Sequence, residues 1–275
     1  MDKTKVELIC GNSKNKLKKL EPNSVDMILT SAPYDNQRDY HGFDFSYETF
    51  KCIAKQMYRV LKPGGTLIWV VGDSIQKGVR SDTSITQLNY FKRIGFRHYD
   101  KMYYGKKNPP PRPGATRLTN CLEDMFVLTK GIPKTKNILL EECKYAGTRN
   151  FGTPNHYTKS GRKVYERRKK IKPCKKRTNI FWYRVGSQNP YRVNWHPSQF
   201  PLQLAYDQIR IWSKEGDLVL DPFNGSGSTG IMARYLGRHY IGIDCSKEYI
   251  ERTQERFDNT KDCEFFFTNN SACQD

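Results

Sequence analysis

Two short stretches hold the residue types that could do chemistry. The first runs Val25-Asp26-Met27-Ile28-Leu29-Thr30-Ser31-Ala32-Pro33-Tyr34, an apolar run that stops at a hydroxyl, a proline and a ring. Pro33 has no N–H for a sheet ladder, so a strand must end at or before it. Ser31 then stands at a strand's carboxyl end, where open α/β sheets place their ligands. On these residues alone, a strand followed by an ordinary turn is the simpler reading. The second stretch runs Asp221-Pro222-Phe223-Asn224-Gly225-Ser226-Gly227-Ser228-Thr229-Gly230. Gly225, Gly227 and Gly230 satisfy G-x-G-x-x-G after the apolar Leu218-Val219-Leu220, and Asp244 closes the next apolar run. Such glycines permit a tight turn and close backbone approach, while the terminal acid can accept ribose hydroxyls. The fingerprint also fits NAD, but dinucleotide folds usually carry it in their opening βα unit, and this one begins past residue 220. Asp221 would also repel a pyrophosphate and attract an ammonium group. S-adenosylmethionine offers that amine, a ribose diol and an adenine.

The surrounding pattern supplies the elements that must position these residues. Phe50, Ile53, Ala54, Met57 and Val60 or Leu61 recur at helical spacing, and Lys62-Pro63-Gly64-Gly65 is expected to end that helix. Residues 66–73, TLIWVVGD, read as a buried strand of a parallel sheet. A helix is expected around 82–94, strands at HYDKMYY and EDMFVLT, and a proline-rich loop, GKKNPPPRPG, between them. NIFWYRV reads as regular structure again. Leu202, Ala205, Tyr206, Ile209 and Trp212 mark one face of a helix closed by Gly216. Strands at 218–220 and 240–244 flank a helix running to about Leu236. This alternation is α/β.

Composition narrows the partners. Of 275 residues, 47 are Lys or Arg and 28 are Asp or Glu, a net charge of +19. Such a field attracts polyanions, nucleic acid or an anionic membrane. No apolar run approaches the ~18–20 residues of a membrane span, and the amino terminus lacks a signal-peptide core, so a cytoplasmic, DNA-associated protein is expected. The eight cysteines form no C-x-x-C pair and the five histidines are scattered, so no metal site is expected. Several cysteines lie in apolar contexts that suit reduced core residues. From 133 to 180 there are fifteen Lys or Arg and three Glu, so +12 of the charge lies in 48 residues. A solvated basic loop is the plain reading of such a run. Interleaved rings, among them Tyr145, Tyr157 and Tyr165, favour a nucleic-acid contact insert.

At this point the sequence resembles the amino-directed DNA methyltransferases, which methylate cytosine N4 or adenine N6. DPFNGSGSTG matches their cofactor motif nearly residue for residue, and TSAPY matches their [S/D/N]-P-P-[Y/F] catalytic motif. The catalytic motif comes first, then the basic insert, then the cofactor motif, which is the order of the family's β group. GNSKNKLKKLEPNSVDMILTSAPY and HPSQFPLQLAYDQIRIWS also resemble that group.

The resemblance implies a Rossmann-like S-adenosylmethionine-dependent methyltransferase fold, mostly parallel, with helices on both faces. It implies a catalytic half at 1–132, a basic target-recognition insert at 133–180 and a cofactor-binding half at 181–275. Such enzymes rotate the target base out of double-stranded DNA. Ser31 and a carbonyl near Ala32 would accept hydrogens from the exocyclic amine, Pro33 would set the turn, and Tyr34 would stack on the base. Asp221 and the turn through Gly225, Ser226 and Gly227 would hold the methionine end, Pro222, Phe223 and Asn224 would line it, and Asp244 would hold the ribose. Ser228 and Thr229 would bond the cofactor or cap the helix. Arg162, Lys163, Arg167, Arg168, Lys169 and Lys170 would contact DNA. The chain departs from the family at Ala32, where the first proline is expected. Pro33 still biases Ala32 towards extended backbone, but Ala32 gains an N–H that needs a partner. Serine at 31 leans towards cytosine N4, with adenine N6 the alternative. RNA methylation and a catalytically silent DNA-binding relative are the other readings. A cognate restriction endonuclease is compatible with the resemblance, as are a monomer and a homodimer.

Overall fold

The computed structural model describes residues 4–31, 33, 45–111, 116–148, 155–157, 160, 161, 163–165 and 170–260. Ala32, Tyr34, Arg162, Arg167, Arg168 and Lys169 therefore lie outside the described residues, and for Lys163 only the backbone strand is described.

The chain divides into two compact units, the first holding, among the described residues, those up to Asn137 and those from Asn179 to Thr260. That unit is built on one eight-stranded sheet. Its strands are β1 (Val6–Cys10), β2 (Val25–Ser31), β3 (Leu61–Val71), β4 (Arg97–Lys106), β5 (Leu122–Thr129), β6 (Ile180–Tyr183), β7 (Leu218–Asp221) and β8 (His239–Asp244). They lie in the order β1-β8-β7-β2-β3-β5-β4-β6. Only β5 opposes its neighbours, pairing antiparallel with both β3 and β4. The expectation of a mostly parallel α/β sheet holds.

The strand chemistry follows from burial on both faces. β2 lies inside the sheet between β7 and β3, and Met27, Ile28, Leu29 and Thr30, which alternate between its two faces, are all inaccessible, which explains the near-continuous apolar run. It stops at Ser31, two residues before Pro33. Helix α2 (Tyr47–Val60) follows short α1 (Ser13–Lys16) and begins at Ser46, whose hydroxyl accepts the Thr49 N–H at 3.3 Å. It buries Phe50, Ile53, Ala54, Met57 and Val60, the face read from spacing. The reading of Lys62-Pro63-Gly64-Gly65 as the break between helix and strand needs correction. β3 already begins at Leu61, paired with Val25, and regains register only at Thr66, paired with Met27. The intervening residues bulge, and Lys62 is held there by the Asp26 carboxylate at 2.7 Å from each oxygen. The other Asp26 contact, from the Leu218 N–H at 3.0 Å, ties β2 to β7.

Helix α3 (Thr83–Arg93) packs Tyr90 and Phe91 against Phe50 and Trp69. Helix α4 (Leu202–Trp212) is buried on more than the single expected face. Asp207 and Gln208 lie inside as well, and Asp207 accepts the Tyr183 hydroxyl at 2.8 Å. Helices α5 (Ser228–Tyr235) and α6 (Lys247–Asn259) complete the first unit. No helix among the described residues is long and apolar enough to cross a membrane.

The second unit includes Ile138–Thr178. It is not simply loop: Leu140–Glu142 pairs antiparallel with Cys174–Lys176, and Asn155–Tyr157 pairs with Lys163–Tyr165. The cysteine expectation also changes. Cys10 is exposed, Cys52, Cys121, Cys143 and Cys245 are only half-buried free thiols, and Cys174 is disulfide-bonded.

Candidate active site

Parallel neighbours end on the same edge of a sheet, so β2, β7 and β8 deliver Ser31, Asp221 and Asp244 to one place. Leu220 pairs with Ile28 and Asp221 with Gly242, which sets the strand ends level. The link is closed by side chains. Thr30, the residue before Ser31, donates its hydroxyl to Asp221 Oδ1 at 2.6 Å across 191 residues of sequence. Thr229 donates to Asp221 Oδ2 at 2.7 Å and the Phe223 N–H to Oδ1 at 3.0 Å. Asp221 is only 2 % exposed. Burial pushes its carboxyl up to about 6, although the Thr30, Thr229 and Phe223 hydrogen bonds pull the other way and nearby Asp244 adds to the rise.

The glycine turn is held by its own surroundings. Gly225 and Gly227 have φ of +49° and +74°, which favours glycine. Asp244 Oδ2 accepts the Gly225 N–H at 2.8 Å and Oδ1 accepts the Ser246 N–H at 2.9 Å. A Cβ on Gly225 would stand 2.9 Å from His196 Nε2, so the missing side chain leaves room beside that ring. Gly230 serves a different purpose: a Cβ there would fall 2.3 Å from Tyr240 and 2.6 Å from Phe257. It lets α5 close on β8 and α6.

Several expected site residues turn out to support the loop. Asn224 faces inward, accepting the Tyr240 hydroxyl at 2.9 Å and donating to Thr253 Oγ1 at 3.1 Å. Ser226 and Ser228 share a hydroxyl contact of 3.2 Å. The capping expectation for Ser228 and Thr229 does not hold, because the cap position of α5 is Gly227, which has no side chain to offer, and Thr229 is spent on Asp221. Pro222 receives the Ser13 hydroxyl on its carbonyl. Phe223 stands edge-on to Phe45, with ring centroids 5.3 Å apart, and near Trp69 at 6.3 Å.

The strand ends and the glycine turn open on a cavity of about 570 Å³, within the ~300–1,000 Å³ of small-molecule sites. Ser31 and Pro33 line it together with Asp221, Phe223, Gly225, Ser226 and Asp244. Two carboxylates beside a glycine turn fit a ligand carrying positive charge and a diol, and fit a pyrophosphate poorly. The residues present therefore suit S-adenosylmethionine.

His196, outside both motifs, also belongs to the site. It lines the cavity, is buried, takes the Ser198 N–H on Nδ1 at 3.2 Å and packs against Tyr249 at 4.7 Å. Reasoning from motifs missed Arg256. Its guanidinium donates to Ser226 O at 2.7 Å and Tyr191 O at 3.1 Å, joining the glycine turn to the segment that carries His196. Burial pushes it down to about 10. No motif signals a residue whose partners are backbone carbonyls. Also unforeseen is the Lys106–Glu123 ion pair on the cavity wall, beside Tyr104, whose hydroxyl burial pushes far up. Among the described residues no cluster could hold a metal ion. Of the expected DNA contacts, Lys170 is exposed in the second unit.

Comparison with known proteins bears on this geometry. The DNA methylase family of N6/N4 amino-methyltransferases matches residues 25–255. The orphan methyltransferase M.BamHII of Bacillus amyloliquefaciens is 40% identical over 243 residues, covering 86% of this chain and 89% of that one. The type II methyltransferase M.HpaI of Haemophilus parainfluenzae is 31% identical over 263 residues, covering 92% and 74%. Among solved structures, the PvuII DNA methyltransferase (cytosine-N4-specific) superposes with a TM-score of 0.69 at 21% identity, covering 92% of this chain and 86% of that one. The M1.HpyAVI–SAM complex superposes at 0.61 with 21% identity, covering 91% and 98%. At that identity these two likenesses establish the fold.

Proposed function

The chain belongs to the N6/N4 DNA methylase family and is an S-adenosylmethionine-dependent DNA methyltransferase, and from that premise we propose that it methylates the N4 amine of cytosine in a base flipped out of duplex DNA. The observation that carries this reading is the Thr30–Asp221 bond, which fastens the Ser31 motif to the glycine turn beside one cavity. Bound there, the cofactor supplies an electrophilic methyl group on its sulfonium. The chain's own task is alignment, because an exocyclic amine conjugated with its ring is a poor nucleophile and in-line displacement depends on geometry. Ser31 and the carbonyl at position 32 accept the amine's hydrogens and turn its lone pair towards the methyl group. Tyr34 stacks on the extruded base. Asp244 holds the ribose diol, Asp221 favours the ammonium group, and Phe223 walls the site.

Serine at 31, where other members carry aspartate, supports cytosine over adenine. The basic segment that includes Lys170 supports contacts to DNA phosphates, with Arg162, Lys163, Arg167, Arg168 and Lys169 in the same role. Incubation with S-adenosylmethionine and mixed-sequence duplex DNA, followed by digestion and mass spectrometry of nucleosides, tests the reading. N4-methylcytosine is expected, and N6-methyladenine would move the assignment to the other base.

Two variants separate the two halves of the site. Tyr34→Ala is expected to lower the single-turnover rate at saturating DNA at least about fivefold, given ~1–3 kcal/mol per stacked base, with cofactor Kd within about twofold of wild type (a factor of two is roughly 0.4 kcal/mol). Asp244→Ala is expected to raise cofactor Kd first. Calorimetric titration of both variants would refute the assignment if Tyr34→Ala, rather than Asp244→Ala, lost the cofactor.

A further inference from the structure

β3 leaves the sheet at Val71, and the next two residues, Gly72 and Asp73, line the cavity. The chain then makes a small hairpin in which Ile75–Gln76 pairs antiparallel with Val79–Arg80. Its turn residues, Lys77 and Gly78, have φ of +48° and +80°, as a tight two-residue hairpin turn of the primed type demands. So short a hairpin is not stable alone, and this one is pinned twice. At its base the Ser81 N–H reaches Ser74 O at 3.0 Å, the Ser74 N–H reaches Ser81 Oγ at 3.1 Å, and Asp73 receives the Ser84 N–H at 2.8 Å. At its tip the Arg117 guanidinium donates to Gly78 O. Arg117 stands two residues before Thr119 and three before Asn120, which also line the cavity. The hairpin is therefore tied at both ends to segments that contribute to the cavity lining.

Residues 75–80 are nonetheless all exposed, with Val79 68 % and Ile75 40 % accessible. A pinned hairpin that holds a β-branched side chain in solvent is spending apolar surface on something outside the fold. Lys77 and Arg80 stand within two residues of Val79, and Arg117 is bonded to the intervening Gly78. Of the nearby carboxylates, Asp73 is taken by Ser84 and lies 3.7 Å from Arg80, and Asp82 is exposed at the hairpin's base. The tip itself carries cations only.

We propose that this hairpin enters the duplex beside the extruded base, with Val79 filling the space the base leaves and Lys77 against a flanking phosphate. The inference rests on the flipped-base reading and adds a contact surface to it. Apolar side chains are the usual wedges between base steps, and cations beside them meet the backbone. An extruded base otherwise leaves its neighbours unstacked, so a wedge shifts the equilibrium towards the flipped state.

The test compares two duplexes carrying the mapped target site, one with the target base normally paired and one with it opposite an abasic position, where extrusion costs less. Val79→Ser is expected to lower kcat/KM on the paired duplex by about tenfold, or roughly 1.4 kcal/mol, and to leave the abasic-opposed duplex within about twofold. Cofactor Kd and Tm are expected to stay at wild-type values, since the side chain is exposed. Lys77→Asn, which suits the positive φ, is expected to reduce the salt dependence of DNA binding by about one phosphate contact. Equal losses on both duplexes, or none on either, would overturn the wedge while leaving the methyltransferase reading intact. Wild-type protein that methylates neither duplex would overturn that reading and the wedge with it.

Discussion

Asp221→Ala is expected to abolish measurable S-adenosylmethionine binding and to lower Tm by roughly 6–12 °C at ~2–4 °C per kcal/mol. The carboxylate is buried and receives three hydrogen bonds, from Thr30, Thr229 and the Phe223 backbone. Removing it strands those donors, at roughly 3 kcal/mol in total once the hydroxyls have rotated to new partners. It also unties β2 from the glycine turn, so the two motifs no longer share a fixed edge. Asp221→Asn separates charge from scaffold. The amide oxygen still serves Thr30 and Phe223, its nitrogen can donate to Thr229, and the Thr229 hydroxyl can turn to Leu29 O, 3.5 Å away. That variant is expected to keep most of the stability while losing cofactor affinity.

The same carboxyl predicts a pH effect with a definite sign. Its folded value of about 6 lies above the usual carboxylate range because burial disfavours the charge. Between about pH 4, where an unfolded aspartate ionises, and about pH 6, the native state holds the proton more tightly. The group's contribution to stability is therefore full below pH 4, falls as pH rises to 6 and is level above. The Tm difference between wild type and Asp221→Asn is expected to shrink over that window; a flat difference would refute the buried, proton-holding carboxyl. Affinity for a cationic cofactor is expected to move oppositely, rising with pH through about 6 in wild type only.

Gly230→Val is expected to prevent folding, the second large effect. The added branch would enter a space where even a Cβ lies 2.3 Å from Tyr240, and both Tyr240 and Phe257 are 1 % exposed. Gly230→Ala weighs two magnitudes. A glycine replaced inside a helix gains roughly 1 kcal/mol of propensity, and overpacking of a filled core costs about 1–3 kcal/mol. Packing wins at this contact distance, so the alanine variant is expected to melt lower while binding cofactor normally. A Gly230→Ala protein that melts higher than wild type would show that Tyr240 can move aside. The third glycine of the fingerprint thus serves helix–strand packing, and of the three only Gly225 lines the cavity.

What could be read from the sequence was whatever is written in local periodicity or in a contiguous motif. β2 and β7 are legible because parallel strands covered on both faces must be apolar throughout. α2 is legible because one face must meet the core, and the glycine turn because positive φ demands glycine. Lys62-Pro63-Gly64-Gly65 misled because a helix stop and a bulged strand use the same residues, and only pairing with Val25 shows that β3 has already begun. Arg256 was invisible because it meets two backbone carbonyls that any residues could present. Asp221 read as a ligand-binding acid, yet the fold spends its lone pairs on Thr30, Thr229 and Phe223, which makes it the fastener between two motifs as well. By itself, the order and identity of the motifs determined family, cofactor and reaction, since those depend on which atoms are offered. Tertiary structure decided which of the offered atoms are free and which are consumed, because hydrogen-bond partners far apart in the chain meet only when the sheet sets their strand ends level.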